Sequence, residues 1–150
     1  ICEKWLIEGR VPYGAGTIGI AQAALQIAID WARERTTFGS RLADKQAVQW
    51  MIADSEMELR AARLLTWQAA WIADSGRGDL KVATSIAKVM ATEAAGRVVD
   101  RAIQVMGGLG VSCELPLERW YRELRIKRIG EGPSEVHRMV LARQLLGNRR

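Results

Sequence analysis

A lone carboxylate, Glu131, stands between Gly130 and Gly132, followed at once by Pro133 and an apolar-periodic run. A base that must reach a substrate carbon needs a tight backbone and an open approach, and flanking glycines supply both. Taken by itself, a glutamate in a turn between helices is more often surface decoration. Two other interruptions carry comparable chemistry. In Arg35-Thr-Thr-Phe-Gly39, Arg35 offers a planar fork of donors to a phosphate, Thr37 a hydroxyl, and Phe38 a ring that can pack on an adenine face. The plain alternative for Arg35 is a helix C-terminal arginine complementing the dipole. In Gln104-Val-Met-Gly-Gly-Leu-Gly110 the glycines permit close backbone approach. Gly107 and Gly108 follow a helix C-terminus, so the dipole that attracts phosphate is absent and this is not a GxG nucleotide loop.

The single histidine, His137, reads as a helix residue pairing locally, because neither a carboxylate nor a nucleophile is placed to work with it. Cys2 and Cys113 are far apart and belong to no CxxC pair, which suggests neither a zinc site nor a disulfide framework, and no metal is expected.

Helices must carry these interruptions. Only 3 prolines occur, and β-branched residues are scattered rather than alternating, so no strand is expected. Ile18, Ala21, Leu25, Ala28 and Ala32 repeat at helical spacing and predict a helix over 14–35. A second runs over 44–73, with Val48, Met51 or Ile52, Ser55, Leu59, Ala62, Leu65, Ala69 and Ile72 along one side, and ends at Gly76 and Gly78. Asp79 is an N-cap for a third, whose apolar face is Val82, Ile86, Val89, Met90, Val98 and Val105. Pro116 opens a shorter fourth through 128, anchored by Leu117, Trp120, Tyr121 and Leu124. Pro133 opens the last, with Val136, Met139, Val140, Ala142 or Arg143, and Leu146 along one face. Long helices joined by short turns are antiparallel neighbours, which predicts an all-α, up-and-down four-helix bundle with an extra short helix.

The chain's 150 residues make one domain with a single core, and 49% apolar with 26% charged residues is an ordinary globular composition. No apolar run reaches the ~20 residues of a bilayer span. The opening Ile-Cys-Glu-Lys-Trp carries no initiator Met and no secretory signal, and reads as an interior cut of a longer chain that is not secreted. The net charge of +5 and pI near 9.7 gather in Arg119, Arg122, Arg125, Lys127, Arg128 and the Arg149-Arg150 tail. A solvated helix face accounts for such a cluster more often than a phosphate-binding surface does.

Together the three interruptions resemble the acyl-CoA dehydrogenase family. Arg35, Phe38, Gly39, Leu42 and Gln46 stand in its Arg-x-x-Phe-Gly-x-x-Leu-x-x-x-Gln run, and Gln104, Gly107, Gly108 and Gly110 in its Gln-x-x-Gly-Gly-x-Gly run. Glu131 and Gly132, then Arg138 and Ala142-Arg143, follow in order, so the resemblance covers essentially the whole chain. It implies the C-terminal helical domain of an FAD enzyme that converts an acyl-CoA thioester to a trans-2-enoyl-CoA. Glu131 would remove the α-proton while a hydride leaves the β-carbon, with the thioester oxygen held by the base residue's own N–H and a flavin hydroxyl.

By the same resemblance Arg35, Thr37, Phe38 and Gln46 contact FAD from one subunit, Gln104, Gly107 and Gly108 contact it from a neighbour, and Pro133 and Glu135 lie beside the flavin. Arg10, Gly130 and Gly132 fall on the substrate side, although the usual acidic companion of Arg10 is Ile7 here. Pro133 replaces a frequent Thr, Glu135 a frequent Gln and Gly130 a frequent Tyr. The ending Glu-Gly-Pro-Ser-Glu-Val-His looks closer to the branch of members 10 and 11, which points to longer or 4-hydroxylated acyl chains. A homodimer or homotetramer sharing FAD is implied, with an electron-transfer flavoprotein as acceptor, in a bacterial cytoplasm or a eukaryotic mitochondrion or peroxisome. The alternative is a helical binding or scaffold module with a basic surface for nucleic acid, which would need none of Glu131, Arg35 and Gln104.

Overall fold

A computed structural model describes residues 2–147, with side chains from Trp5 onward, so Cys2's thiol and the Arg149-Arg150 tail lie outside the described residues. α1 (Cys2–Glu34) leads through a two-residue hairpin, β1 (Thr36–Thr37) and β2 (Ser40–Arg41), and a 3₁₀ turn (Leu42–Asp44) into α2 (Gln46–Ser75). α3 (Leu80–Met106) ends in a second 3₁₀ turn (Gly107–Val111), and α4 (Leu117–Lys127) and α5 (Ser134–Leu145) complete an all-α bundle.

α1 begins well ahead of the expected 14 and runs through Pro12. Past the proline, packing and a local bond hold the helix. A Cβ at Gly14 would come into van der Waals contact with Thr66 and Ala91, at 3.5 and 3.6 Å, and Thr17 Oγ1 donates to Tyr13 O at 2.7 Å. The hairpin was not expected either. Its turn residues Phe38 and Gly39 both have positive φ, +52° and +77°, as a two-residue hairpin connection demands, and Leu42 N donates to Arg35 O across its base. α2 stops at Gly76, which is left-handed and caps Ile72 O, and α3 starts where Asp79 accepts from Val82 N at 3.0 Å; both agree with the sequence.

The core is built largely of alanine. Ala21, Ala24, Ala28 and Ala32 of α1 and Ala91, Ala94, Ala95 and Ala102 of α3 belong to one buried cluster, and small side chains let the helices approach closely. The expected α1 face is buried as read. On α3 Val98 and Val105 are buried as read, but in the first half of the helix the buried stripe runs through Thr84, Ala87, Lys88, Ala91 and Ala95, leaving Met90 exposed. Tyr121 of α4 is exposed, and α5 buries Ser134 and His137 while Val136, Met139 and Leu146 face outward. Along α2, Trp50, Met57, Leu64 and Trp71, at steps of seven, form an exposed apolar stripe with Trp67 beside it. Among the described residues no helix is long and apolar enough to cross a membrane.

Candidate functional site

The α4–α5 turn puts Glu131 in an unusual backbone. Ile129 N and Gly130 N both close on Ile126 O, at 2.8 and 2.9 Å, and Glu131 at φ +57° with Gly132 at φ +93° then reverses the chain. Pro133, at φ −65° and ψ 157°, launches α5. A left-handed non-glycine residue costs about 1 kcal/mol and persists only where its surroundings impose it. Glu131 Oε2 is buried without a hydrogen-bond partner among the described residues. Buried polar atoms nearly always have one, so this oxygen stands out together with Arg10 Nε, Arg128 Nε and Ser134 Oγ, which share the feature.

Around the turn stand Lys88, which the sequence did not single out, and His137. Lys88, fully buried on α3, donates from Nζ to Gly132 O at 2.7 Å and Arg128 O at 3.1 Å. Burial, and then the Arg10 charge, push its pKa down to about 8. His137 is buried too; its Nε2 lies 3.1 Å from Glu131 O and its Nδ1 3.1 Å from Ser85 Oγ. Burial, then Arg10 and Lys88, push its pKa to about 4, so the ring is neutral. The local pairing expected of His137 is therefore only half the picture, since Ser85 belongs to α3. The signal for Lys88 was its place in the Thr84, Ala87, Ala91 stripe, where an ammonium has no solvent. Glu93 completes the scaffold by pairing with Arg128 at 3.3 Å and Arg138 at 3.5 Å.

Tyr13 covers Gly130. A Cβ at 130 would lie 2.7 Å from the phenol oxygen, so this ring from α1 fills the space where the resemblance expects a tyrosine at 130 itself. Lys127 Nζ sits 4.2 Å from the ring centroid, and burial, then the Glu131 charge, raise the phenol's pKa. Gly130→Tyr should therefore lower Tm by about 5 °C through overpacking. Adding Tyr13→Ala should restore most of that loss; strictly additive losses in the double variant would show that the two positions do not share space.

The second group of candidates lies at the other end of the bundle. Phe38 is fully exposed at the hairpin tip with Lys45 Nζ 5.9 Å from its ring, and Arg35 is exposed beside Trp31. Gln46, Gln104, Gly107 and Gly108 are exposed as well. A Cβ at Gly108 would meet nothing within 4 Å, and its φ is ordinary, so nothing within the chain requires glycine there. Gly110 is the contrast: its Cβ would fall 2.8 Å from Ile103 O, so that glycine serves packing. An exposed arginine, ring and amide beside an open glycine fit a large external group with a phosphate and an aromatic face.

The two groups do not meet in one chain. Gly14 of α1 is level with Ala91 of α3, and from there the helices run in the same direction towards Arg35 and Gly107. At the ~1.5 Å rise per residue, Tyr13 to Arg35 and Lys88 to Gly107 each span about 30 Å. Arg35 and Gln104, expected from different subunits, thus sit at one end of one chain, while Arg10, Gly130, Glu131, Gly132, Pro133 and Glu135 lie near the other. Within the basic cluster Arg119 pairs with Glu123, Arg122 with Glu118 and Arg128 with Glu93.

The family model described as acyl-CoA dehydrogenase, C-terminal domain, matches residues 2–146. The human mitochondrial short-chain specific acyl-CoA dehydrogenase is 43% identical over 146 residues, covering 97% of this chain and 35% of that protein. Subunit CarC of the caffeyl-CoA reductase-Etf complex of Acetobacterium woodii is 43% identical over 143 residues, 95% of this chain and 38% of that protein. The butyryl-CoA dehydrogenase structure from Megasphaera elsdenii superposes with a TM-score of 0.90 at 38% identity, over 94% of this chain and 37% of that one. The chain thus spans little more than a third of the length of these relatives.

Proposed function

The chain belongs to the acyl-CoA dehydrogenase family, whose C-terminal domain it matches, and from that premise we propose that the subunit carrying it dehydrogenates an acyl-CoA thioester at the α,β bond with Glu131 as the base. The observation that carries this reading is the buried, unpartnered Oε2 of Glu131 on a left-handed backbone between two glycines. Glu131 takes the proton from the α-carbon as the β-carbon loses a hydride, and the two carbons become doubly bonded. The thioester oxygen, on which charge builds as the proton leaves, is met by the Glu131 amide. Bound FAD supplies the hydride acceptor. Arg35, Thr37, Phe38, Gln46, Gln104, Gly107 and Gly108 would hold it at one end of the bundle, and Pro133 and Glu135 would border it where a second chain presents Glu131.

This arrangement makes the enzyme a homo-oligomer, dimer or tetramer, with each flavin between two chains. An electron-transfer flavoprotein is the proposed acceptor of its electrons, and a bacterial cytoplasm or a mitochondrion or peroxisome its compartment, with a place in fatty-acid β-oxidation. The relatives' names favour short acyl chains, whereas the Pro-Ser-Glu-Val-His ending favours longer or 4-hydroxylated ones. Anaerobic titration of the full subunit with butyryl-, octanoyl-, palmitoyl- and 4-hydroxyacyl-CoA decides between them by which bleaches the flavin band fastest. A flavin that none of them bleaches would sink the dehydrogenase reading. The isolated 150-residue chain should fold, self-associate and bind FAD poorly; stoichiometrically yellow protein would contradict this.

A further inference from the structure

Among the described residues no hydrogen bond to Oε2 aims Glu131, since this buried oxygen has no partner there. Its direction must come from the backbone, which stands at φ +57°, where a glutamate does not rest unaided. Three carbonyls of this turn, those of Arg128, Glu131 and Gly132, are captured from beneath: Lys88 Nζ binds the first and third, and His137 Nε2 approaches the second at 3.1 Å. A carbonyl only accepts, so Nε2 carries the ring proton that meets Glu131 O, while Nδ1 lies 3.1 Å from Ser85 Oγ, whose hydroxyl donates to Lys81 O at 2.7 Å. Gly132 gives the ring room, since a Cβ there would lie 3.2 Å from Nε2. An apolar side chain would fill the place of Lys88 at far less desolvation cost if the site needed only packing.

We infer that Lys88 and His137 are positioning residues for Glu131, fixing by their hydrogen bonds to the carbonyls of 128, 131 and 132 the backbone that points the base at its substrate. The inference rests on Glu131 being that base. Neither side chain touches substrate, so both act on the rate of proton removal and little on acyl-CoA affinity.

The test uses the full-length, FAD-loaded subunit in four variants, Lys88→Met, His137→Leu, His137→Gln and Glu131→Gln. Each is mixed anaerobically with the acyl-CoA that reduces the wild type fastest, and the limiting bleaching rate, half-saturating concentration and flavin content are recorded. Lys88→Met and His137→Leu should lower the limiting rate by roughly 30- to 100-fold with full flavin and a half-saturating concentration within about threefold of wild type. His137→Gln keeps an amide donor near the position of Nε2 and should regain at least roughly tenfold over His137→Leu. Wild-type bleaching rates in Lys88→Met and His137→Leu would overturn the inference, as would a glutamine variant as slow as the leucine one. If Lys88→Met does not fold, the His137 pair still decides. Bleaching by Glu131→Gln at the wild-type rate would remove the base assignment and this inference together. An inert Glu131→Gln beside unaffected Lys88 and His137 variants would remove the positioning role alone.

Discussion

In the FAD-loaded subunit, Glu131→Gln will slow bleaching of the flavin by acyl-CoA by at least about 10²–10⁴-fold, the range ascribed to a general base. The exchange is close to isosteric, and Oε2 has no internal hydrogen bond to lose, so folding and flavin content should stay at wild-type levels. Backbone strain is unchanged as well, because glutamine at φ +57° meets the same steric cost as glutamate. Stopped-flow absorbance under anaerobic conditions reads the effect directly. A rate within tenfold of wild type would assign proton removal to another group and leave the orphaned oxygen unexplained.

The second large effect concerns mixed oligomers. Gly108→Phe adds a side chain into open space at an ordinary φ, so the variant should fold while obstructing the flavin end of its own chain. Glu131→Gln disables only the opposite end. In a two-fold dimer where each flavin lies between one chain's Glu131 end and the other's Gly108 end, a mixed dimer of these variants has one site with both lesions and one with neither. Purified mixed dimers carrying two different tags should regain roughly half the wild-type activity, although both parents are inert. If both ends of one chain served the same flavin, every site would carry one lesion and no activity would return. The roughly 30 Å between the two groups along α1 and α3 favours the first outcome.

The reading from sequence succeeded where side-chain chemistry alone decides the outcome. The α1 stripe of Ile18, Ala21, Leu25, Ala28 and Ala32 is buried because its period matches the helix and its residues are apolar. Asp79 caps α3 because a short carboxylate before a helix has an N–H within reach. On α3 the same method held for Val98 and Val105, which are buried, and failed along the first half of the helix. Its core side is made of Ala87, Ala91 and Ala95 with Thr84 and Lys88 among them, residues whose burial is dictated by the helices and turn they face. α5 is short and buries only Ser134 and His137, so its larger apolar residues misled the assignment of its face. The hairpin strands of two residues each are too brief for any periodicity to register. Glu131 was found from its glycines, but Lys88, 43 positions earlier, meets the carbonyls of Arg128 and Gly132 only once α3 and the α4–α5 turn are packed.

The apolar stripe of Trp50, Met57, Leu64 and Trp71 also changes what stability means for this molecule. Such a row, exposed on a lone chain, contributes nothing to folding until another surface covers it. Any self-association that covers it binds the folded form and not the unfolded one, so mass action links assembly to the folding equilibrium. Where a second copy of the chain is what covers the stripe, stability depends on protomer concentration, and dilution acts as a denaturant.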